Sequence, residues 1–389
     1  MIFIHLIFNL YNEVVIKMKI SIDGRGINWY KGTGIGTYTE KILKHMINKY
    51  SEDFFNIYWS GDNYQSFKKE NTRIIMTSKR YSRFFEQYFF PHDLNIENPD
   101  IYHVPQNGIG LSEYIHCKKI STIHDLIPYI MPETVGKGYL YKFLRDMPKI
   151  INLSDSIITV SNQSKKDIIK FFNVDKDKIF SIPLAADEKY KPLDKEHCKN
   201  TAKNKYNITK PYILYLGGFS ARKNVKSLIL AFSKIYNKLN KEYQLVIVGS
   251  KKDRAPYLEK LTSTFKIKSN IIFTGFVPED DLPILYNGSD AFVYPSLYEG
   301  FGLPLLEAMS CATPIITSNV SSIPEVVSDS ALLIDPSNLD DLSNSIEKLI
   351  NNSALQKTLS EKGYARSKLF SWEKTASSTF EVYKKLSLI

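Results

Sequence analysis

Short apolar runs alternate with segments of helical spacing along most of this chain. In its second half the apolar runs lie at residues 212–216, 244–249, 271–275, 291–294, 315–317 and 331–335. Strands that alternate with helices form parallel sheets, because each helix returns the chain by a right-handed crossover. A chain of 389 residues is too long for one ordinary core. The pattern therefore predicts an α/β protein of two domains.

One junction between a strand and a helix stands out at residues 294–314. Its apolar run ends at Pro295, a glycine-rich turn carries Glu299, and Pro304 opens a helix with Glu307 in its first turn. Amide N–H groups and the positive end of a helix dipole converge there, which suits an anionic or hydroxyl-rich ligand. Two carboxylates can accept hydrogen bonds from different hydroxyls of one sugar. The simpler alternative is that Glu307 only favours the helix start and Glu299 is solvated.

The composition disfavours several other classes of protein. Apolar residues make up 43% and charged residues 24% of the chain, as in ordinary globular proteins. The net charge of +10 is shared by both halves, so no basic tail or domain indicates nucleic-acid binding. The cysteines lie far apart without a CxxC pair, at Cys117, Cys198 and Cys311. They predict neither a disulfide framework nor a zinc site, and they fit a reducing cytoplasm.

The first residues, 1–17, are interpreted as an N-terminal extension outside the first domain. Residues 1–16 are apolar but lack a basic segment and a cleavage site, and they are too short to span a bilayer. Met18 directly precedes a predicted first strand at residues 20–23. An upstream start codon or an appended segment explains this arrangement, and an anchor at a membrane surface is the alternative.

Residues 299–308, Glu-Gly-Phe-Gly-Leu-Pro-x-x-Glu-Ala, resemble the signature of the retaining, nucleotide-sugar-dependent glycosyltransferases of family 4. The resemblance implies the GT-B architecture, in which two Rossmann-like, doubly wound domains face each other across a cleft. It implies an acceptor-binding domain at 18–187 and a nucleotide-sugar-binding domain at 188–370. The C-terminal helix at 371–389 would cross back to the first domain. The polar, lysine-rich stretch at 183–211 is the predicted boundary.

Three glycine-bearing turns resemble donor-binding loops of this family. Residues 32–36 would lie under the donor phosphates, and residues 275–277 would bracket the nucleobase. In residues 217–224, an arginine fork and a compact lysine charge would hold the diphosphate, although a surface pair of this kind is normally only solvated. The donor-binding residues that the resemblance implies are Gly34, Gly36, Gly217, Gly218, Arg222, Lys223, Gly275, Phe276, Val277, Glu299, Gly300, Phe301, Gly302, Leu303 and Glu307.

Polar residues follow two predicted strands of the first half, at 100–104 and 120–123. Ligands of open α/β sheets gather at the carboxyl ends of strands. The run His-Asp-Leu-Ile-Pro-Tyr-x-x-Pro-Glu from His124 resembles mannosyltransferase-like members of the family, in which this histidine borders the transferred sugar. A structural histidine is the alternative. We expect His124 to orient the sugar or the acceptor, and the predicted acceptor-binding residues are Gln106, Asn107, His124 and Asp125.

Two further patterns allow more than one interpretation. Residues 73–90 mix cations with closely spaced aromatic side chains. They predict a helix packed on the core and ended by Pro91, or else an interfacial helix that reaches a lipid or glycolipid acceptor. Asp175 and Asp177 spell Asp-x-Asp, the metal-binding signature of the other large glycosyltransferase architecture. A divalent ion needs more convergent carboxylates than these two, so no metal site is predicted.

The resemblance implies a cytoplasmic, metal-independent hexosyltransferase without a resident cofactor, acting in the cytoplasm or at the inner face of the membrane. The implied catalytic residues are His124, Arg222, Lys223 and Glu299. The expected donor is GDP-mannose, with UDP-glucose and UDP-N-acetylglucosamine as alternatives, and the acceptor is a glycan or lipid-linked saccharide of a cell-surface glycoconjugate. A nucleotide-sugar epimerase or a non-catalytic nucleotide-sugar-binding protein remains the competing interpretation.

Overall fold

A computed structural model describes residues 17–250, 255–263, 265 and 267–388, so most of the N-terminal extension lies outside the described residues. The first domain contains a parallel sheet of seven strands in the order β3-β2-β1-β4-β5-β6-β7. Its strands are β1 (Lys19–Asp23), β2 (Phe54–Trp59), β3 (Thr72–Met76), β4 (Ile101–Val104), β5 (Lys118–Ile123), β6 (Ser156–Thr159) and β7 (Ile179–Ser181).

The second domain contains a parallel sheet of six strands in the order β10-β9-β8-β11-β12-β13. In each sheet the strand order reverses beside the first strand, β1 or β8, which creates the crevice where ligands of doubly wound sheets bind. The α/β prediction of two such domains is confirmed. The strands of the second sheet are β8 (Tyr212–Leu216), β9 (Gln244–Val248), β10 (Ile271–Gly275), β11 (Ala291–Tyr294), β12 (Ile315–Ser318) and β13 (Ala331–Ile334).

Helices connect the strands and pack on both sheets. Several begin at a side-chain cap: Ser161 accepts the amide of Ser164, and Ser371 accepts the amide of Lys374, as the sequence predicts. The helices are α1 (Gly26–Trp29), α2 (Gly34–Lys49), α3 (Ser82–Phe84), α4 (Phe90–Glu97), α5 (Ile127–Ile130), α6 (Lys137–Leu153), α7 (Asn162–Phe172), α8 (Lys195–Tyr206), α9 (Val225–Ile235), α10 (Ala255–Thr262), α11 (Leu282–Gly288), α12 (Leu303–Ser310), α13 (Ile323–Val327), α14 (Leu339–Ile350), α15 (Ser353–Ser367) and α16 (Trp372–Ser387).

The last helix, α16, returns to the first domain and packs on α2. A fully buried hydrogen bond of 2.6 Å joins the Tyr383 hydroxyl to Nδ1 of His103 on β4. The hydroxyl of Thr375 donates to the carbonyl of Pro183 at 2.7 Å. The expected return of the C-terminal helix is therefore confirmed, and it places part of the first domain's core on the last residues of the chain.

The predicted boundary segment is not only a connector, because α8 forms within it. Cys198 and Ala202, four residues apart, are fully buried and let a lysine-rich helix pack on α11. The predicted start of α12 was also one residue late. The helix begins at Leu303, so Glu307 lies in its second turn and not in the first.

The expectation of one aromatic helix ended by Pro91 was wrong in two respects. Residues 72–76 form the edge strand β3, and Pro91 lies in the first turn of α4 rather than beyond a helix end. A π-helical turn at Phe85–Phe89 precedes it. Proline lacks an N–H group and collides with the carbonyl four residues earlier. The wider turn absorbs this mismatch, so the helical path continues to Glu97.

This helical segment buries only one side. Phe85 and Phe89 pack against the fully buried Phe90 and its neighbours, and Glu86 accepts a hydrogen bond of 3.0 Å from the buried guanidinium of Arg25. On the opposite side, Tyr81, Phe84 and Tyr88 are 57%, 54% and 66% exposed. In the part of the chain that the structure describes, no helix combines the length and the apolar character needed to cross a membrane.

Candidate active site

The carboxylate of Glu299 lies where the second sheet ends, among three donors. Its Oε1 accepts hydrogen bonds from Nζ of Lys223 at 2.7 Å and from the Tyr294 hydroxyl at 3.0 Å. Nη1 of Arg222 lies 2.9 Å from the same oxygen. The cations follow β8 and the acid follows β11, the two strands beside the switch in strand order. The fold therefore joins residues about seventy positions apart, as the sequence analysis expected.

The charges in this cluster keep one another ionised. Burial alone would raise the pKa of Glu299, but Lys223 and Arg222 hold it at about 2. Burial disfavours the charged form of Arg222, yet Glu299 raises the pKa of its guanidinium overall. Burial lowers the pKa of Lys223, which Glu299 partly offsets. The site thus presents a permanent carboxylate beside two cations in a poorly solvated place, where charge interactions are strong.

Residues that the sequence analysis missed hold the loop around Glu299. The amide of Glu299 donates to Ser321 at 3.0 Å, and the hydroxyl of Ser322 lies 2.9 Å and 3.1 Å from the carbonyls of Glu299 and Phe301. The amide of Leu297 donates to the carbonyl of Arg222 at 2.8 Å. Local patterns do not reveal these serines, because their partners come from a different connection of the sheet.

Gly300 brings the two domains into contact. A Cβ atom there would lie 2.6 Å from the carbonyl oxygen of His124 and 2.9 Å from Cβ of Asp125. The hydroxyl of Ser164 lies 3.1 Å from the His124 carbonyl and 3.3 Å from the Gly300 carbonyl. Only glycine permits this approach. It sets the loop that carries Glu299 directly against the end of β5.

Further contacts between the domains surround α7 of the first domain. The carboxylate of Glu325, on α13, accepts hydrogen bonds of 3.0 Å from the amides of Asn162 and Gln163. These amides belong to the first turn of α7, where a negative charge is favourable. The hydroxyl of Tyr298 donates to the carboxylate of Asp167. Glu325 therefore stabilises a helix of the other domain.

His124 is buried and neutral. Its ring nitrogen Nε2 lies 3.0 Å from the carbonyl oxygen of Pro105, which can only accept, so Nε2 carries the proton and Nδ1 keeps its lone pair. Burial lowers the pKa of His124 to about 4. The ring of Tyr38 packs edge-on against it at 5.0 Å. A histidine fixed in this form can orient a hydroxyl group but carries no charge at neutral pH.

The other predicted acceptor residues divide into two groups. Asp125 lies near Arg222, Lys223 and Glu299, and burial raises the pKa of its carboxyl group. Asn107, by contrast, accepts the amide of His124 at 2.9 Å and shapes the loop. Gln106 is fully buried, with its amide oxygen close to Gly26. The side-chain amide of Gln106 has no hydrogen-bond partner among the described residues, and its contact with an acceptor stays a prediction.

Glu307 lies in the second turn of α12, the helix that follows the loop of Glu299. It accepts a hydrogen bond of 2.9 Å from the hydroxyl of Tyr286. Burial raises its pKa to about 7, and the hydroxyls of Tyr286 and Tyr190 oppose the increase. The carboxyl group of Glu307 can therefore change charge in the neutral range, unlike that of Glu299.

The glycine-bearing turns lie between strands and the helices that follow them, where the sequence analysis expected them. Gly34 begins α2, and a Cβ at Gly36 would lie 2.4 Å from the carbonyl of Tyr30. Gly217, Gly275 and Gly302 have φ values of +154°, +74° and +102°, which favour glycine. Gly218 has open space around it. Beyond Gly275, Phe276 is 78% exposed, whereas Val277 is buried.

The Asp-x-Asp pair has a local structural role. The carboxylate of Asp175 accepts the amide of Asp177 at 2.9 Å and so caps a short helical turn before β7. Within the described ranges, no group of three or more histidine, cysteine or acidic side chains has the arrangement of a metal site. Arg222 and Lys223 are the cations that lie beside Glu299 at the site.

Two doubly wound domains, the second of which carries a cation pair and an acid at its strand ends, have the GT-B architecture. Residues 34–190 match the family described as "Glycosyltransferase Family 4", and residues 198–366 match "Glycosyl transferases group 1". The chain belongs to glycosyltransferase family 4.

Two relatives from Escherichia coli are mannosyltransferases by name. The O-antigen chain mannosyltransferase B is 30% identical over 373 residues, which cover 92% of this chain and 97% of that protein. The serotype-specific mannosyltransferase WbdA is 31% identical over 279 residues, which cover 71% of this chain and 34% of the larger protein. Anabaena HepE, solved with UDP and glucose, shares the fold with a TM-score of 0.75 at 16% identity, covering 95% of this chain and 100% of HepE.

Proposed function

We propose that the protein is a retaining mannosyltransferase that transfers mannose from GDP-mannose to a glycan or lipid-linked saccharide in cell-surface polysaccharide biosynthesis. The observation that carries the proposal is the meeting of Arg222 and Lys223 with Glu299 at 2.9 Å and 2.7 Å, on a loop that approaches the backbone of His124 at Gly300. The names of the Escherichia coli relatives support mannose as the transferred sugar. UDP-glucose is the alternative donor, which the HepE complex favours.

The cations have donor capacity left for a diphosphate. The described hydrogen bonds of the Arg222 side chain use Nη1, and those of Lys223 use two of its three ammonium protons. Within the described part of the chain, Nε and Nη2 of Arg222 and one proton of Lys223 thus remain for phosphate oxygens. Charge-assisted bonds of this kind would stabilise the departing diphosphate as its negative charge develops, without a metal ion.

The opposite side of the proposed site would hold the sugar. Glu299, ionised at any physiological pH, would accept hydrogen bonds from sugar hydroxyls. The amides of Phe301, Gly302 and Leu303 would donate to the sugar or phosphate, because no hydrogen bond described for this loop uses them. In the proposed same-face reaction, a leaving phosphate oxygen takes the proton of the acceptor hydroxyl, while Nδ1 of His124 orients a hydroxyl group of the sugar or acceptor.

A panel of nucleotide sugars tests the proposal. The purified protein, incubated with a mannose-bearing glycan and each of GDP-mannose, UDP-glucose and UDP-N-acetylglucosamine, should form an α-linked product from GDP-mannose. Product linkage is read by nuclear magnetic resonance. A product of inverted configuration would overturn the retaining mechanism, and conversion of the donor's sugar to its epimer without any acceptor would identify an epimerase instead.

Glu307 should make donor binding depend on pH. We propose that its carboxylate accepts hydrogen bonds from the ribose hydroxyls, so the ionised form binds better. Because its pKa is raised to about 7, donor affinity should increase as the pH rises through 7 and fall by about tenfold between pH 7.5 and pH 6. Calorimetric titration with GDP-mannose suits this test, since its phosphate diesters do not titrate in that range. A Glu307→Gln variant should show a flat profile, and a persistent slope in that variant would contradict the assignment.

We also propose that the protein acts on the cytoplasmic face of the membrane. The basic aromatic patch, defined as Lys79, Arg80, Tyr81, Arg83, Phe84 and Tyr88, is exposed beside the first domain's core. Exposed aromatic rings among cations fit the interface of an anionic bilayer, whose surface attracts each cation by about 1 kcal/mol. A lipid-linked acceptor would be presented at that surface.

Vesicle binding measures the contribution of this patch. Replacing Arg80 and Arg83 with serine should lower partitioning onto phosphatidylglycerol vesicles about thirtyfold at low salt, since two cations are removed from the interface. The control variant carries Lys166→Ser and Lys226→Ser, which remove the same charge from exposed sites elsewhere. Equal losses in both variants would show that net charge, and not the patch, controls binding.

A further inference from the structure

A surface cleft separate from the Glu299 cluster lies between the domains. It has a volume of about 420 Å³, within the roughly 300–1,000 Å³ of pockets that bind small ligands. Tyr129 and α7 of the first domain form one wall, and Tyr298 and Ser321 of the second domain form the other. A ligand in this cleft would touch both domains.

The walls of the cleft combine aromatic surfaces with hydrogen-bonding groups. Phe171 is 40% exposed, and its ring lies 5.4 Å from that of Tyr129. Gln163 and Asp167, from the same face of α7, hydrogen-bond each other at 3.0 Å, and with Ser321 they give the cleft an amide, a carboxylate and a hydroxyl group. Aromatic faces pack well against the C–H faces of a pyranose ring, while amide, carboxylate and hydroxyl groups bond its hydroxyls.

The charges of the lining favour a neutral ligand. Asp167 and Lys170 are the acid and the base among the lining residues, so their charges cancel. A diphosphate or an anionic headgroup would bring negative charge close to Asp167 at a cost. The cations that the diphosphate requires, Arg222 and Lys223, pair with Glu299 at the other site.

We propose that this cleft is a second saccharide-binding subsite that takes a neutral pyranose unit of the acceptor glycan, away from the point of transfer. The proposal rests on the proposed function in one respect, namely that the acceptor is a glycan. Tyr298 and Ser321 link the cleft to the transfer site, because Tyr298 precedes Glu299 and Ser321 accepts the Glu299 amide. A glycan long enough to occupy both sites is held at two points and binds more tightly than a short one.

Binding of an α-linked mannotriose tests the subsite directly. Titration followed by nuclear magnetic resonance should show saturable binding to the wild-type protein in the absence of donor. Phe171→Ala removes an aromatic wall and should weaken that binding about fivefold, whereas Phe171→Tyr keeps the ring and should retain it. Tyr257→Ala, which removes another exposed ring on α10, serves as the matched control and should bind as the wild type does.

Turnover separates this proposal from the proposed function. In Phe171→Ala the KM for an acceptor of several sugars should rise about fivefold, while the KM for a single-sugar acceptor and the rate of donor hydrolysis stay unchanged. A protein that turns donor over but binds mannotriose equally with and without the Phe171 ring would overturn the subsite alone. Failure to turn over any nucleotide sugar would instead refute the proposed function.

Discussion

Replacing Lys223 with alanine should lower sugar transfer by about 10² to 10³-fold. Its ammonium group lies 2.7 Å from Glu299 in a poorly solvated site, where one positioned charge on a developing anion contributes about 3–4 kcal/mol to the transition state. The loss should fall mainly on kcat, because the charge of the leaving diphosphate grows during the reaction. Initial rates with GDP-mannose and a saturating acceptor measure it.

A neighbouring lysine provides the control for this variant. Lys226 lies three residues further along and is exposed on α9, so Lys226→Ala removes the same charge outside the site and should leave transfer unchanged. Thermal unfolding of both variants checks the fold, since Glu299 retains Arg222 as a partner in Lys223→Ala. Turnover at the wild-type rate by a folded Lys223→Ala protein would refute the role in diphosphate stabilisation.

Replacing Gly300 with alanine should have an effect of similar size for a steric reason. The added Cβ would lie 2.6 Å from the His124 carbonyl oxygen, closer than real contacts allow, so the loop and the end of β5 must separate. A displacement of about 1 Å can cost about a hundredfold in rate. Transfer should therefore fall about a hundredfold, while GDP affinity, carried by the second domain, changes little.

A glycine with free space around it distinguishes this steric effect from a general effect of alanine. Gly138 lies on α6 with no atom within 4 Å of the added Cβ, and Gly138→Ala should leave turnover intact and stabilise the helix slightly. Calorimetry with GDP and initial-rate measurements compare the two variants. Normal transfer by Gly300→Ala would show that the domains do not meet through this loop during the reaction.

The sequence predicts most of the fold because strands that are buried on both faces consist of uninterrupted runs of apolar residues. The edge strand β3 was missed, since only one of its five residues is buried and it joins an aromatic segment that favours a helix. Helix α8 was missed because only Cys198 and Ala202 mark its buried face among many lysines. Helices and strands at the periphery bury few side chains, so their hydrophobic patterns in the sequence are weak. The packing that stabilises them is seen only in the structure.

The charged centre of the site could be predicted, but its supporting side chains could not. Arg222, Lys223 and Glu299 lie in glycine-rich turns at strand ends, which local patterns and a family resemblance both indicate. Tyr294, Ser321 and Ser322 act through hydroxyl groups whose partners lie on other connections of the sheet. Gln106 follows a strand and yet is fully buried, so the position of a residue after a strand does not by itself predict its exposure.

The bond between Tyr383 and His103 has a consequence for biosynthesis. A ribosome completes the first domain's sheet early, yet the helix that covers part of it is made only after the second domain. The nascent first domain therefore keeps apolar surface exposed until the second domain has been translated. Translation that stops after the second domain and before α16 would therefore leave part of the first domain's core exposed to solvent.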